Sequence, residues 1–192
     1  MAYAKQKILY LFILMIVLIP ETRGQKEFID SIKQQLGRVT ENEDKLSMYY
    51  NLAKSYRNLN PYIGLDYIDS ARVIATDLAD TGTLARIINE AGVLYRKVDL
   101  YEEAIDQHQE ALRLFQKVSD TMGIAFAYAN MGNVFLSFSR LEKALEYNKK
   151  SLDLKYALQD SLQIAYSLRT TALVLQIRGS YNEAIEYFDK AL

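Results

Sequence analysis

Along this chain apolar residues return every three or four positions, the spacing of one face of a helix, and almost nowhere every second position as in a half-buried strand. Phe28, Ile29, Ile32 and Leu36 follow that spacing near the start, and Ala184, Ile185, Phe188, Ala191 and Leu192 form an apolar stripe at the end. Val, Ile and Thr do not alternate with polar residues over any long run, and glycine and proline number only 8 and 2. The pattern predicts an all-α chain.

One run breaks the periodicity. ILYLFILMIVLI, residues 8–19, is apolar throughout, follows Lys5 and Lys7, and stops at Pro20. A membrane-spanning helix needs about 20 such residues. A secretory signal needs roughly 7–15, after basic residues and before small ones at the cut. Thr22 and Gly24 fit those small positions, so residues 1–24 are expected to be a signal peptide with Gln25 as the mature N-terminus. Export, to the periplasm in a bacterial envelope, is therefore expected. An uncleaved segment would instead anchor the domain to the membrane.

Laid against itself, the remaining chain repeats. YEEAIDQHQEAL at 101 returns as LEKALEYNKKSL at 141 and YNEAIEYFDKAL at 181, forty residues apart each time, with a weaker copy, PYIGLDYIDSAR, at 61. A second series, NLAKSY at 51, EAGVLY at 90, NMGNVF at 130 and TALVLQ at 171, carries small residues at Ala53, Gly92, Gly132 and Ala172. A bulky residue follows each by three, namely Tyr56, Tyr95, Phe135 and Leu175, and twelve residues beyond the last three small ones comes Ala104, Ala144 or Ala184. Small residues at paired positions let two helices approach closely, and the bulky ones fill the space between successive pairs. The unit is a helical hairpin.

Asp80, Asp120 and Asp160 stand at the joints between units, where a side-chain oxygen caps the next helix. Capping uses them singly, on different layers, which argues against a shared metal. Glu102 and Glu103 fall in a first helical turn, where the macrodipole favours negative charge. His108, the single histidine, is replaced by Asn148, Phe188 and Ile68 in the sister copies. The structure does not need an imidazole there, so no acid/base role is expected, and His108 is expected at the surface.

Small-x-x-aromatic followed by Tyr-x-x-Ala and Ala-Leu resembles the tetratricopeptide repeat, a helix-turn-helix pair, over residues 43–192. The period is forty instead of 34, and the late proline is missing, with Gln116 and Tyr156 in its place. The longer period resembles the kinesin light chain-like variant, with helices of about 18 residues, or about 27 Å. The resemblance implies a right-handed α-solenoid of about four repeats, at 43–79, 80–119, 120–159 and an incomplete 160–192, behind a capping helix in 25–42 that stops at Gly37. Leu192 falls within the last helix without a polar cap, so a continuing chain, a partner or a second copy is expected to cover that edge.

In such solenoids the first helix of each pair lines a concave groove. The corresponding faces carry Tyr50, Lys54 and Arg57; Arg86, Asn89 and Arg96; Phe126 and Asn133; and Tyr166 and Arg169. With Ser47, Val93, Ala129, Leu136, Leu173 and Gln176 at the remaining positions, none is acidic. The groove is therefore expected to be locally positive and to favour an acidic peptide or protein segment.

Composition narrows the chemistry further. There is no cysteine, hence no disulfide and no thiolate ligand, and one histidine cannot build a multi-histidine zinc site. The net charge is −1, falling to −3 once Lys5, Lys7, Arg23 and Glu21 leave with the signal, and no basic run suits a nucleic acid. With no phosphate loop or nucleophile motif, the sequence reads as a non-enzymatic interaction module without cofactor or metal. The alternative is the sensory input region of a longer membrane signalling protein, as in exported bacterial repeat proteins and some histidine kinases.

Overall fold

A computed structural model gives the arrangement of residues 24–192. The predicted export segment falls almost wholly on residues 1–23, outside the described residues. Within them the secondary structure is entirely helical: α1 (24–36), α2 (Asn42–Tyr56), α3 (Pro61–Asp77), α4 (Thr81–Lys97), α5 (Tyr101–Lys117), α6 (Thr121–Ser137), α7 (Leu141–Ala157), α8 (Ser161–Arg178) and α9 (Tyr181–Lys190). Helices α3 to α7 are 17 residues each, or about 26 Å. None of the helices is long and apolar enough to cross a membrane.

The joints explain the regularity. Ala79, Asp99, Ser119, Ser139, Gln159 and Gly179 all adopt positive φ, between 53° and 89°. They stand twenty residues apart; the first five lie two residues past the last residue of a helix, and Gly179 directly after one. At each joint two backbone bonds close the turn: Ser119 N–H donates to Gln116 C=O at 3.1 Å and Asp120 N–H to Phe115 C=O at 2.9 Å, with the same pair of bonds at the other five. This is the Schellman arrangement, which satisfies the last carbonyls of one helix.

The residue that donates the second, outer bond is also the N-cap of the next helix. At the joints between units the side chain adds a bond: Asp80 accepts from Thr83 N–H, Asp120 from Gly123 N–H and Asp160 from Gln163 N–H, at 2.8–3.0 Å. Within units, Leu100, Arg140 and Ser180 make no such bond. One residue thus ends each helix and the next starts its successor, leaving little freedom in the angle between them.

Packing follows the small residues. Gly64 lies against Leu94 and the Ala53 carbonyl, Gly92 against the His108 ring, and Gly132 against Asn148 and the Ala144 carbonyl. A Cβ on Gly92 would sit 2.6–2.8 Å from that ring, closer than side chains tolerate. Each buried cluster joins one hairpin to the first helix of the next: Ile68, Ala71 and Ala75 with Ile87 and Leu94, then Ile88, Ala111 and Phe115 with Ala127, then Phe135 and Ala144 with Val174. Helix α1 closes the other end, with Ile29 and Ile32 on Leu52.

The first helix ends at residue 36, just before Gly37. Two expectations are corrected. His108 is fully buried, because the bare backbone of Gly92 opens a slot that its ring fills. On α9 the stripe divides: Ala184 is buried, whereas Ile185 is 57% exposed and Leu192 lies beyond the helix. Ile105 and Leu145, the equivalents of Ile185, are packed between successive pairs.

Candidate functional site

The helices α2, α4, α6 and α8 lie side by side and carry a cleft of about 720 Å³. Residue spacing along each helix decides what faces it. From α2 come Tyr50, Lys54 and Arg57; from α4, Arg86, Asn89 and Arg96; from α6, Phe126 and Asn133; from α8, Tyr166. These predicted positions share one cavity. Arg169 does not join them: it borders a separate apolar hollow with Leu162, Phe188 and Leu192 at the end of the stack, its guanidinium 5.5 Å from the Tyr166 ring centre.

The acid-free face expected from the sequence is not what the fold builds, since Glu90 and Asp120 also line the cleft. Glu90 is 5% exposed and takes two hydrogen bonds from Arg57, Nε to Oε1 at 2.9 Å and Nη2 to Oε2 at 2.6 Å. This forked pair ties α2 to α4 and so joins the first two hairpins. Asp120 lies 3.5 Å from Arg86. The two acids escaped the sequence reading because each falls outside the helical spacing chosen for the groove: Glu90 next to Asn89, and Asp120 at a joint. The signal available was a carboxylate set among small and apolar residues in NEAGVLY.

The cationic groups therefore differ in state. Arg57 and Arg86 are paired, and Lys54 lies 5.4 Å from the Tyr50 ring centre. Arg96 has no ion pair or hydrogen bond among the described residues. Its pKa is lowered, first by burial and then by the Arg57 charge. Burial, with Glu90 nearby, raises the Tyr50 phenol to about 12, so it stays a neutral donor at ordinary pH.

Two buried groups support the cleft from behind. His108 Nδ1 lies 2.8 Å from Asn89 Oδ1, so the ring fixes the amide that lines the cavity. Burial, and secondarily Arg96, lowers its pKa to about 3, and its Nε2 has no partner. A neutral imidazole enclosed in the helical seam positions Asn89 and does not present itself to a substrate. Lys155, fully buried at the position Phe115 holds one repeat earlier, donates to Ser167 Oγ at 2.8 Å and lies 5.4 Å from the Phe126 ring centre. Burial lowers its pKa to about 8. Among the described residues no group of three or more His, Cys, Asp or Glu could hold a metal ion.

Comparison with known proteins matches residues 83–157 to a tetratricopeptide repeat family model. No curated protein matches the chain significantly. A Rap protein crystallised with the competence and sporulation factor superposes with a TM-score of 0.80 at 20% identity, covering 89% of this chain and 49% of its own. The kinesin light chain TPR-like repeats of Podosopora anserina give 0.66 at 13%, covering 89% and 87%. A signal-transduction ATPase with a tetratricopeptide repeat sensor, from Pyrococcus horikoshii, gives 0.72 at 21%, covering 92% and 28%. This chain thus spans about half the length of the Rap protein. Residues 83–157 are thus tetratricopeptide repeats by sequence, and along the rest of the described residues the stacked hairpins share the fold of such repeats, an α-solenoid.

Proposed function

We propose that this protein is a non-enzymatic scaffold that binds a peptide or protein segment along its concave cleft, outside the cytoplasm. The observation that carries the reading is the cleft lining: guanidinium groups, amides and exposed aromatic faces converge from four helices on one elongated surface. Amides bond a peptide backbone, aromatic faces take its apolar side chains, and the cations favour an acidic sequence. The Rap structure with its bound factor supports the analogy.

The test is selection from a random peptide library, followed by affinity measurement against the parent and against Asn133→Trp, which fills the middle of the cleft. Loss of binding in the variant is expected; unchanged binding of every selected peptide overturns the reading. Export rests on the basic-then-apolar pattern of residues 5–19. Mass spectrometry of the protein from fractionated cells should find a chain starting at Gln25 in the envelope, and an intact cytoplasmic chain would refute it.

A second reading, the input region of a longer membrane signalling protein, is favoured by the similarity to a repeat sensor attached to a signalling ATPase. Self-association through the last pair is also proposed, because Leu162, Ile177, Tyr181 and Ile185 are each more than half exposed there. Sedimentation of the parent against Ile185→Lys tests it: a dimer that survives the lysine would overturn that contact.

A further inference from the structure

We infer that Arg96 selects the ligand: it receives a carboxylate of the bound peptide, while Phe126 and Tyr166 receive a large apolar side chain close to that carboxylate in the sequence. The inference rests on the cleft-binding reading above and specifies what the cleft recognises.

Five cations line the cleft: Lys54, Arg57, Arg86, Arg96 and Lys97. Arg57 is satisfied twice over by Glu90, and a ligand acid would have to compete with a pair already formed. Arg86 is partly screened by Asp120 and is 58% exposed along its side chain. Lys54 and Lys97 are exposed and hydrated, and attract an anion only weakly. Arg96 differs from all of these. It is half-buried, lines the cavity, and meets another cation where a counter-charge is wanted.

A guanidinium held out of water without an anion is unfavourable. An arriving carboxylate removes that penalty and gains two parallel N–H···O bonds. Because Glu90 is held by Arg57, it is not free to neutralise Arg96 in the ligand's place.

The apolar half of the motif lies in the same cleft. Phe126 and Tyr166 are 38% and 46% exposed, and both line the same cavity as Arg96. Lys155 holds the Phe126 ring from beneath, so that surface is fixed before a ligand arrives. A peptide lying along the groove would bring an acid to α4 and, a few residues on, an apolar side chain to α6 and α8.

The test uses twelve-residue peptides selected on the parent protein and measured by fluorescence anisotropy. The selected peptides should carry Asp or Glu within a few residues of a large apolar side chain. Changing that acid to its amide should weaken binding about tenfold or more to the parent and much less to Arg96→Gln, the mark of a direct pair. Arg96→Lys should recover part of the loss, since it keeps the charge but not the fork. Repeating the set with amidated C-termini separates a side-chain carboxylate from a terminal one.

The melting temperature of Arg96→Gln should not fall, because no internal partner is lost. The inference is overturned if acid and amide peptides bind the parent alike, if the acid and Arg96 contribute independently, or if no acidic peptide is selected. Binding lost in Asn133→Trp but kept in Arg96→Gln would leave the cleft and remove the anchor. Binding kept in both would remove the two together.

Discussion

At the scale of single residues, the environment of His108 shows how one missing side chain determines another residue's chemistry. Gly92 leaves a slot, the ring fills it, and burial lowers the imidazole pKa to about 3. The unfolded chain takes up a proton near the ordinary value of about 6.5, whereas the folded one does not. Stability should therefore be unaffected above that pH and fall by about 1.4 kcal/mol for each pH unit between roughly 6.5 and 3. His108→Asn, which copies Asn148 over Gly132, should fold and remove this His-linked slope, as followed by denaturant melts from pH 7 to 4. The sister residues already showed the imidazole to be dispensable. Its burial was less legible, because it depends on what faces the position from another helix; Ile68 at the equivalent site was the available hint. Arg57 teaches the same lesson: its place on the groove followed from spacing, its neutralisation by Glu90 did not. Glu90→Gln should cost about 1–3 kcal/mol in thermal unfolding, since it weakens a partly buried pair. It should also tighten the cleft's hold on acidic peptides by freeing Arg57, which titration calorimetry would detect.

Among elements, the joints carry the regularity, and they were only half visible beforehand. The aspartate caps could be read because their chemistry is specific. The left-handed residues could not, since Ala79, Asp99, Ser119, Ser139 and Gln159 share no composition and only Gly179 has the expected type. Cβ crowding disfavours this conformation by about 1 kcal/mol for such residues, less where Asp or Ser bonds locally. Ser119→Gly should therefore raise stability by a few tenths to about 1 kcal/mol, the gain in relieved strain being partly offset by glycine's greater freedom when unfolded. Asp160→Ala should lower it by about 1 kcal/mol through loss of the bond to Gln163 N–H. Both effects are accessible to chemical denaturation at neutral pH.

For the whole molecule, the forty-residue recurrence made the fold legible, because small residues returning in step permit only one way of stacking hairpins. The alanines and glycines named from that recurrence are the close approaches between helices. Gly132→Leu should force α6 from α7 at a cost of about 1–3 kcal/mol. Since each hairpin meets only its neighbours, hydrogen exchange should accelerate first in α6 and α7 and last in α1. The distribution of charge within the cleft was less legible, as it depends on contacts between different repeats. The joints spaced every twenty residues also impose a parity rule on the chain's evolution. Deleting forty residues brings the downstream helices back in phase, each still facing the side it faced before. Deleting twenty would exchange inner for outer throughout the downstream part, so lineages that vary this protein's length should do so by whole hairpins.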